Sequence, residues 1–233
     1  MHVSGDGPPG LRRTCPTGSK GLAAVPGPRP YTAGLVTKRP ALGCLLEIVE
    51  TLVLTLIIFF VIQNFVAQPY KVQQQSMERT LEPEQYVLVD KLTPRFDPYE
   101  RGDIVVFTPP IEWNQGGTPF IKRVIGEGGD SVEIRDDGLV YINDVALDEP
   151  YLFADENGDP QPTTVGGDQA TWTIPDGDLF LMGDHRSDSA DSRTFGPVPV
   201  EQVIGRAWLR YWPFDTFGVL PTPTYPDRTT TAP

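Results

Sequence analysis

Three stretches of the chain carry side chains whose types and spacing could do chemistry together. The first is Val72-Gln73-Gln74-Gln75-Ser76-Met77-Glu78-Arg79-Thr80-Leu81, the second Phe120-Ile121-Lys122-Arg123-Val124-Ile125-Gly126, and the third runs from Gly183-Asp184-His185-Arg186 to Gly196. A serine hydroxyl is a weak nucleophile and needs a base within hydrogen-bond reach. The histidines are His2, in a Pro/Gly-rich arm, and His185. A lysine can take their place when desolvation lowers its pKa enough for the neutral amine to exist near pH 7. Lys122 is best placed for that, set among Phe120, Ile121, Val124 and Ile125, and beyond residue 70 the chain has only Lys71 and Lys91 besides it. Each signal alone has a blander reading, since a strand lysine is more often a solvated edge charge and a lone serine more often nothing. Together they imply acyl-transfer hydrolysis with Ser76 as nucleophile and Lys122 as general base.

The third stretch strengthens that reading. Between its glycines lie Ser187, Ser189 and Ser192, the acids Asp184, Asp188 and Asp191, and the arginines Arg186 and Arg193. Such a loop can supply a hydroxyl to orient the lysine amine, with Asp–Arg pairs holding its backbone. A calcium loop is disfavoured because arginines are interleaved with the acids. With no CxxC pair and two histidines, a zinc site is not expected, and no cofactor is implied.

These side chains need elements to position them. From Thr51 to Tyr70 the chain has no charge, and Leu52 to Ile62 is apolar apart from Thr55. With Leu45, Leu46, Ile48 and Val49, a helix over about 45–66 would rise roughly 1.5 Å per residue and span about 30 Å, the thickness of a bilayer core. The alternative is a buried core helix, but no matching helical pattern follows. Six basic residues (Arg12, Arg13, Lys20, Arg29, Lys38, Arg39) precede the span and Lys71 follows it closely. By the positive-inside rule the N-terminus is cytoplasmic and the rest lies outside. A cleavage after Ala67 would put bulky Phe65 at −3, so the segment reads as an uncleaved anchor.

After the span the pattern changes to short β-type runs broken by turns. Candidate strands are 70–74, 86–90, 103–108, 120–126, 131–135, 139–142, 179–182 and 203–211. Asp136-Asp137-Gly138 and Asn143-Asp144 read as hairpin turns. The expected division is a disordered cytoplasmic arm over 1–41, a transmembrane helix over 42–67, a mostly β extracytoplasmic catalytic domain over 68–220, and a disordered Pro/Thr-rich tail over 221–233. Residues 148–170, rich in Gly, Asp, Pro and Thr, read as an exposed insertion or lid.

Charge narrows the function further. The net charge is −12, yet residues 1–46 set the six basic side chains against Asp6 alone, so the remainder is more acidic still. A domain that acidic is a poor nucleic-acid binder, which needs clustered Lys and Arg. Cys15 and Cys44 both lie at or before the apolar segment, so no disulfide staples the domain.

These motifs, in this order behind one apolar span, resemble the bacterial type I signal peptidases, membrane-anchored Ser-Lys endopeptidases that remove signal peptides from exported proteins. The resemblance covers roughly residues 42–220. It rests on Ser76-Met77 with Thr80-Leu81, on Arg101-Gly102-Asp103-Ile104-Val105-Val106-Phe107, on Lys122-Arg123-Val124-Ile125-Gly126 with Gly129-Asp130, and on Gly183-Asp184, Ser189, Asp191-Ser192-Arg193 and Gly196. It implies that Ser76 attacks the scissile carbonyl, that Lys122 is the general base, and that Ser189 orients the Lys122 amine. Asp191 and Arg193 would brace the loop, with Asp184 and Arg186 structural. Val72, Met77, Leu81, Phe120 and Ile121 would form shallow pockets admitting small residues at −1 and −3, each having ordinary core packing as its alternative. The implied partners are exported preproteins and the lipid bilayer, with proximity to the translocation machinery.

The chain departs from the family pattern in three places. Gln74 stands where Ser or Gly completes the oxyanion hole, so its side-chain amide or backbone would have to substitute. Arg79 stands where proline is common, which implies a looser turn after Ser76. His185 takes a usual Asn position and offers a Ser76–His185 pairing as the rival dyad. Other readings are a self-cleaving repressor-type Ser-Lys protease, disfavoured by the span, and an inactive membrane-anchored β-domain that binds extracellular partners. A missing Ser76 or Lys122 would favour the latter, and both are present.

Overall fold

The computed structural model describes Gly27 and residues 41–225, apart from 112, 114 and 115. Most of the expected arm, and residues 226–233 of the expected tail, lie outside the described residues. The chain divides into two compact units, 1–45 and 46–233, and all the candidate chemistry falls in the second.

The apolar run forms helix α1 (Ala41–Val61), which ends in a π-helical turn over Ile62–Val66. Three of its polar side chains are satisfied locally: Thr51 and Thr55 donate to the carbonyls of Glu47 and Thr51, each at 2.8 Å, and Asn64 to that of Phe60 at 2.8 Å. In hydrocarbon, where no water would do so, that internal satisfaction is required. Residues 43–66 make one stretch long and apolar enough to cross a membrane, and its large side chains are not covered by protein.

At Ala67 the backbone turns extended and runs directly into a mostly β domain. Its strands are β1 (Ala67–Lys71), β2 (Tyr86–Asp90), β3 (Ile104–Phe107), β4 (Phe120–Glu127), β5 (Ser131–Ile134), β6 (Val140–Ile142), β7 (Val145–Ala146), β8 (Thr171–Thr173), β9 (Asp178–Met182), β10 (Val198–Pro199), β11 (Val203–Trp212) and β12 (Gly218–Val219). A large antiparallel sheet runs β1-β2-β11-β3-β4-β9-β10 with β12 on β11, and a small sheet runs β7-β6-β5-β8. Pro69 is tolerated in β1 because β1 is an edge, where a missing donor breaks no inner ladder.

Each sequence-predicted strand has its counterpart, with β1 lying three residues earlier than expected. Four short strands (β7, β8, β10, β12) have too little alternation to be seen in sequence. The Asn143-Asp144 turn has φ of 51° and 68°, the left-handed pair that a tight hairpin demands.

Two expectations are corrected. The 148–170 segment is not simply an exposed insertion, because Tyr151, Leu152 and Thr163 are buried. Residues 221–225 belong to the domain rather than to a tail: the Pro221 carbonyl accepts from Arg123 at 3.3 Å and the Tyr225 hydroxyl donates to the Asp148 carbonyl at 2.9 Å.

Candidate active site

Strand β4 is the centre of the site. Seven of its eight residues are buried, so its alternation decides which neighbours each meets. Phe120, Lys122 and Val124 share one face, and Ile121, Arg123 and Ile125 the other. Lys122 pairs across the ladder with Val105, which itself belongs to the apolar cluster of Phe107, Leu179 and Leu181. The two adjacent cations thus enter different environments.

Lys122 Nζ lies 2.6 Å from Ser76 Oγ, and both residues are almost wholly buried. Burial removes water from the ammonium and pushes the Lys122 pKa down to about 8, against the opposing pull of Asp191 and Asp184. The result is an amine able to be neutral near physiological pH and already in contact with a hydroxyl.

The turn that presents Ser76 is closed by its own backbone, with Glu78 N–H donating to Gln75 at 2.9 Å and Leu81 N–H to Met77 at 2.7 Å. Arg79 within it has φ of 81°, a value that a proline ring, locked near −65°, cannot reach. The turn is therefore not the loose one expected: the Arg79 guanidinium also donates to the Leu152 carbonyl.

The loop 183–193 seats this turn. Gly183 packs its bare Cα against the Ser76 carbonyl and Ser189, and His185 N–H donates to the Ser76 carbonyl at 3.0 Å. Asp191 is the hub: it accepts from Ser189 Oγ at 2.6 Å, Gly183 N–H at 3.1 Å and Arg193 Nε at 2.8 Å. Burial alone would raise its pKa, but the Arg193 guanidinium and these donors hold it below the usual carboxylate value. Ser189 thus donates to Asp191, and among the described residues no hydrogen bond joins it to the Lys122 amine. Asp184 bonds Arg123 through Nε at 2.8 Å and Nη2 at 2.7 Å, and accepts from Thr80 Oγ1 at 2.6 Å. Arg186 forms a buried ion pair with Glu149.

A groove of about 180 Å³ is lined by residues close in sequence to Ser76 and Lys122. Val72, Gln74, Phe120 and Ile121 line it, together with Tyr70 and Thr118. Met77 and Leu81 do not: both are fully buried in the cluster with Val87, Val89 and Ile104. Their apolar character signals core packing, which the sequence could not separate from pocket lining. Among the described residues the His185 ring makes no hydrogen bond to Ser76 Oγ; its Nδ1 lies 2.9 Å from Glu78 Oε2.

Arg123 and Thr80 stand in the sequence only as motif positions, and Glu149 and Tyr151 carry no motif of their own. Arg123 is fully buried, bonds the Gly102 carbonyl at 2.7 Å and stacks on Tyr151 at 4.0 Å. The available signal was an arginine inside an apolar strand, which must find a carboxylate.

Comparison with known proteins gives a consistent likeness. Residues 45–212 match the family model described as signal peptidase, peptidase S26. A probable signal peptidase I-2 of Synechocystis is 36% identical over 177 residues, covering 75% of this chain and 77% of that protein. A signal peptidase I of Leptolyngbya laminosa is 35% identical, covering 78% of this chain and 87% of its own. Signal peptidase IB of Staphylococcus aureus is 32% identical, covering 74% and 92%. Among solved structures, a signal peptidase I of Enterococcus faecalis is 36% identical and covers 47% of this chain and 97% of that one, with a TM-score of 0.38.

Proposed function

The chain belongs to the signal peptidase family, peptidase S26, and on that premise we propose that it is a membrane-bound serine endopeptidase that removes N-terminal signal peptides from exported preproteins. The observation that carries the reading is the 2.6 Å contact between Lys122 Nζ and Ser76 Oγ, made where the ammonium form is disfavoured.

The chemistry follows from that contact. Ser76 Oγ adds to the scissile carbonyl as its proton passes to the neutral Lys122 amine. The tetrahedral oxyanion takes a hydrogen bond from the Ser76 N–H and a second from Gln74, through its carboxamide or backbone. Collapse breaks the C–N bond, and Lys122 returns the proton to the leaving amine. Water then attacks the Ser76 acyl ester with Lys122 again as base; the C–Oγ bond breaks, Lys122 returns the proton to Ser76 Oγ, and the signal peptide leaves as the free acid. Asp191, Arg193, Asp184 and Ser189 hold the loop against which the nucleophile turn rests.

The substrate lies extended along the groove, adding to the strand edge. Val72, Gln74, Phe120 and Ile121 set the walls that admit small side chains at −1 and −3. Helix α1 anchors the chain, the basic arm stays in the cytoplasm, and the domain from residue 68 works outside, at the bilayer surface.

The test is cleavage of a membrane-presented preprotein bearing an Ala-x-Ala site. The wild type is expected to cut after the second Ala, and Ser76→Ala and Lys122→Ala each to abolish cutting. Retained cleavage by Lys122→Ala would move the base elsewhere.

A further inference from the structure

We propose that His185 is a positioning residue for the nucleophile, gripping the Ser76 turn at two points through its main chain and its imidazole. The proposal rests on the reading of Ser76 as nucleophile.

His185 N–H donates to the Ser76 carbonyl at 3.0 Å, which fixes the backbone of the attacking residue itself. Its ring reaches the same turn from the other side, with Nδ1 at 2.9 Å from Glu78 Oε2. A carboxylate only accepts, so Nδ1 carries the proton and donates. Glu78 follows Ser76 by two residues and is tied back across it by the Glu78 N–H bond to the Gln75 carbonyl. One residue on the loop thus links both ends of the short segment that aims Oγ at Lys122, Ser76 through its main chain and Glu78 through its ring.

The ring itself is not free to move. It stacks on Phe153 with centroids 4.0 Å apart and planes 16° from parallel. Phe153 is in turn pinned to the loop, its N–H donating to the Asp184 carbonyl at 3.0 Å. The other charged groups of this loop are engaged elsewhere: Asp184 with Arg123, and Arg186 with Glu149. Asp188 meets His185 through its backbone N–H, at 3.1 Å from the His185 carbonyl. Glu78 is therefore the carboxylate that the ring holds, and the pair is largely shielded, with side chains 14% and 16% exposed.

The ring touches neither Ser76 Oγ nor Lys122 Nζ among the bonds of the described residues, so its effect on rate passes through placement. Displacing a reacting atom by about 1 Å can cost roughly 10²-fold in rate, which sets the scale. What the position requires is a donor one bond beyond Cγ. Asparagine Nδ2 stands at the same remove from the backbone as histidine Nδ1, so Asn keeps the Glu78 bond and loses only the stacking on Phe153.

The experiment compares kcat and KM of the full-length enzyme on a preprotein reporter for His185→Ala, His185→Asn, Glu78→Ala, Glu78→Gln and the His185→Ala/Glu78→Ala pair. His185→Ala and Glu78→Ala are each expected to lower kcat about ten- to a hundred-fold at unchanged KM. His185→Asn and Glu78→Gln restore most of it, and the double variant is no worse than the weaker single, because both break one link. A general packing defect would not be rescued by Asn and would not show that coupling. Should His185→Ala fail to fold, Glu78→Ala against Glu78→Gln carries the same test. Wild-type kcat in Glu78→Ala, or additive losses in the pair, would overturn the proposal. Ser76→Ala run alongside separates the two claims: a cutting Ser76→Ala sinks the nucleophile, whereas an inert one beside a fully active His185→Ala sinks the positioning role alone.

Discussion

The carbonyl oxygen of Ser76 rests on the bare Cα of Gly183, where a Cβ would stand well inside the 3.0 Å that such atoms keep. On its other side that Cβ would meet Ser189 Oγ and Cβ at similar range. Glycine is required here by the close approach of another backbone. Gly183→Ala must push the Ser76 turn off its seat, and with Ser76 as the proposed nucleophile kcat is expected to fall at least about tenfold. Turnover at the wild-type rate by Gly183→Ala would show the contact to be slack.

The pH dependence of kcat follows from Lys122. Burial lowers its pKa from 10.5 to about 8, and in the proposed mechanism the active form is the neutral amine. Activity is therefore expected to rise with pH through a one-proton step centred near 8, with about a tenth of the limiting rate at pH 7. A pH–rate profile on a peptide substrate reads this directly. A bell centred near pH 6 would instead give the proton transfer to His185.

Arg123 and Asp184 form an ion pair with both side chains fully buried. Arg123→Met leaves the Asp184 carboxylate and the Gly102 carbonyl without their partner, and breaking such a pair costs about 3–5 kcal/mol. Denaturant unfolding of the variant is expected to show a loss of that order. A loss below about 1 kcal/mol would mean that the Thr80 hydroxyl alone already satisfies the Asp184 carboxylate.

Met77 and Ile121 offer a contrast between core and groove. Met77 is fully buried and does not line the groove, so Met77→Ala is expected to cost about 2–5 kcal/mol of stability while leaving residue preference at −1 unchanged. Ile121 lines the groove, so Ile121→Ala widens it and relaxes the preference for small side chains. Cleavage of a series with Ala, Val and Leu at −1 distinguishes them. A shifted preference in Met77→Ala would return that residue to the substrate site.

Much of this was legible in the chain because the signals were local. An uninterrupted apolar run with satisfied threonines has one compact solution, a helix, and Val, Ile and Phe runs between Gly and Asp turns have another, the antiparallel strand. Ser76 and Lys122 stood out by scarcity: few bases follow the span, and one of them sits among apolar neighbours. The shortest strands carried no such signal, since two residues cannot show a period.

What the sequence determined by itself was therefore the architecture and the candidate pair, Ser76 and Lys122. What only the tertiary structure decided was which buried neighbour each polar group meets. Alternation along β4 sends Lys122 to Ser76 and Arg123 to Asp184, yet both are cations in one apolar run. Ser189 meets Asp191, Arg186 meets Glu149, and Met77 turns into the core while Ile121 faces the groove. These pairings join residues far apart in sequence, and burial forces each polar group to take the partner that folding brings within reach.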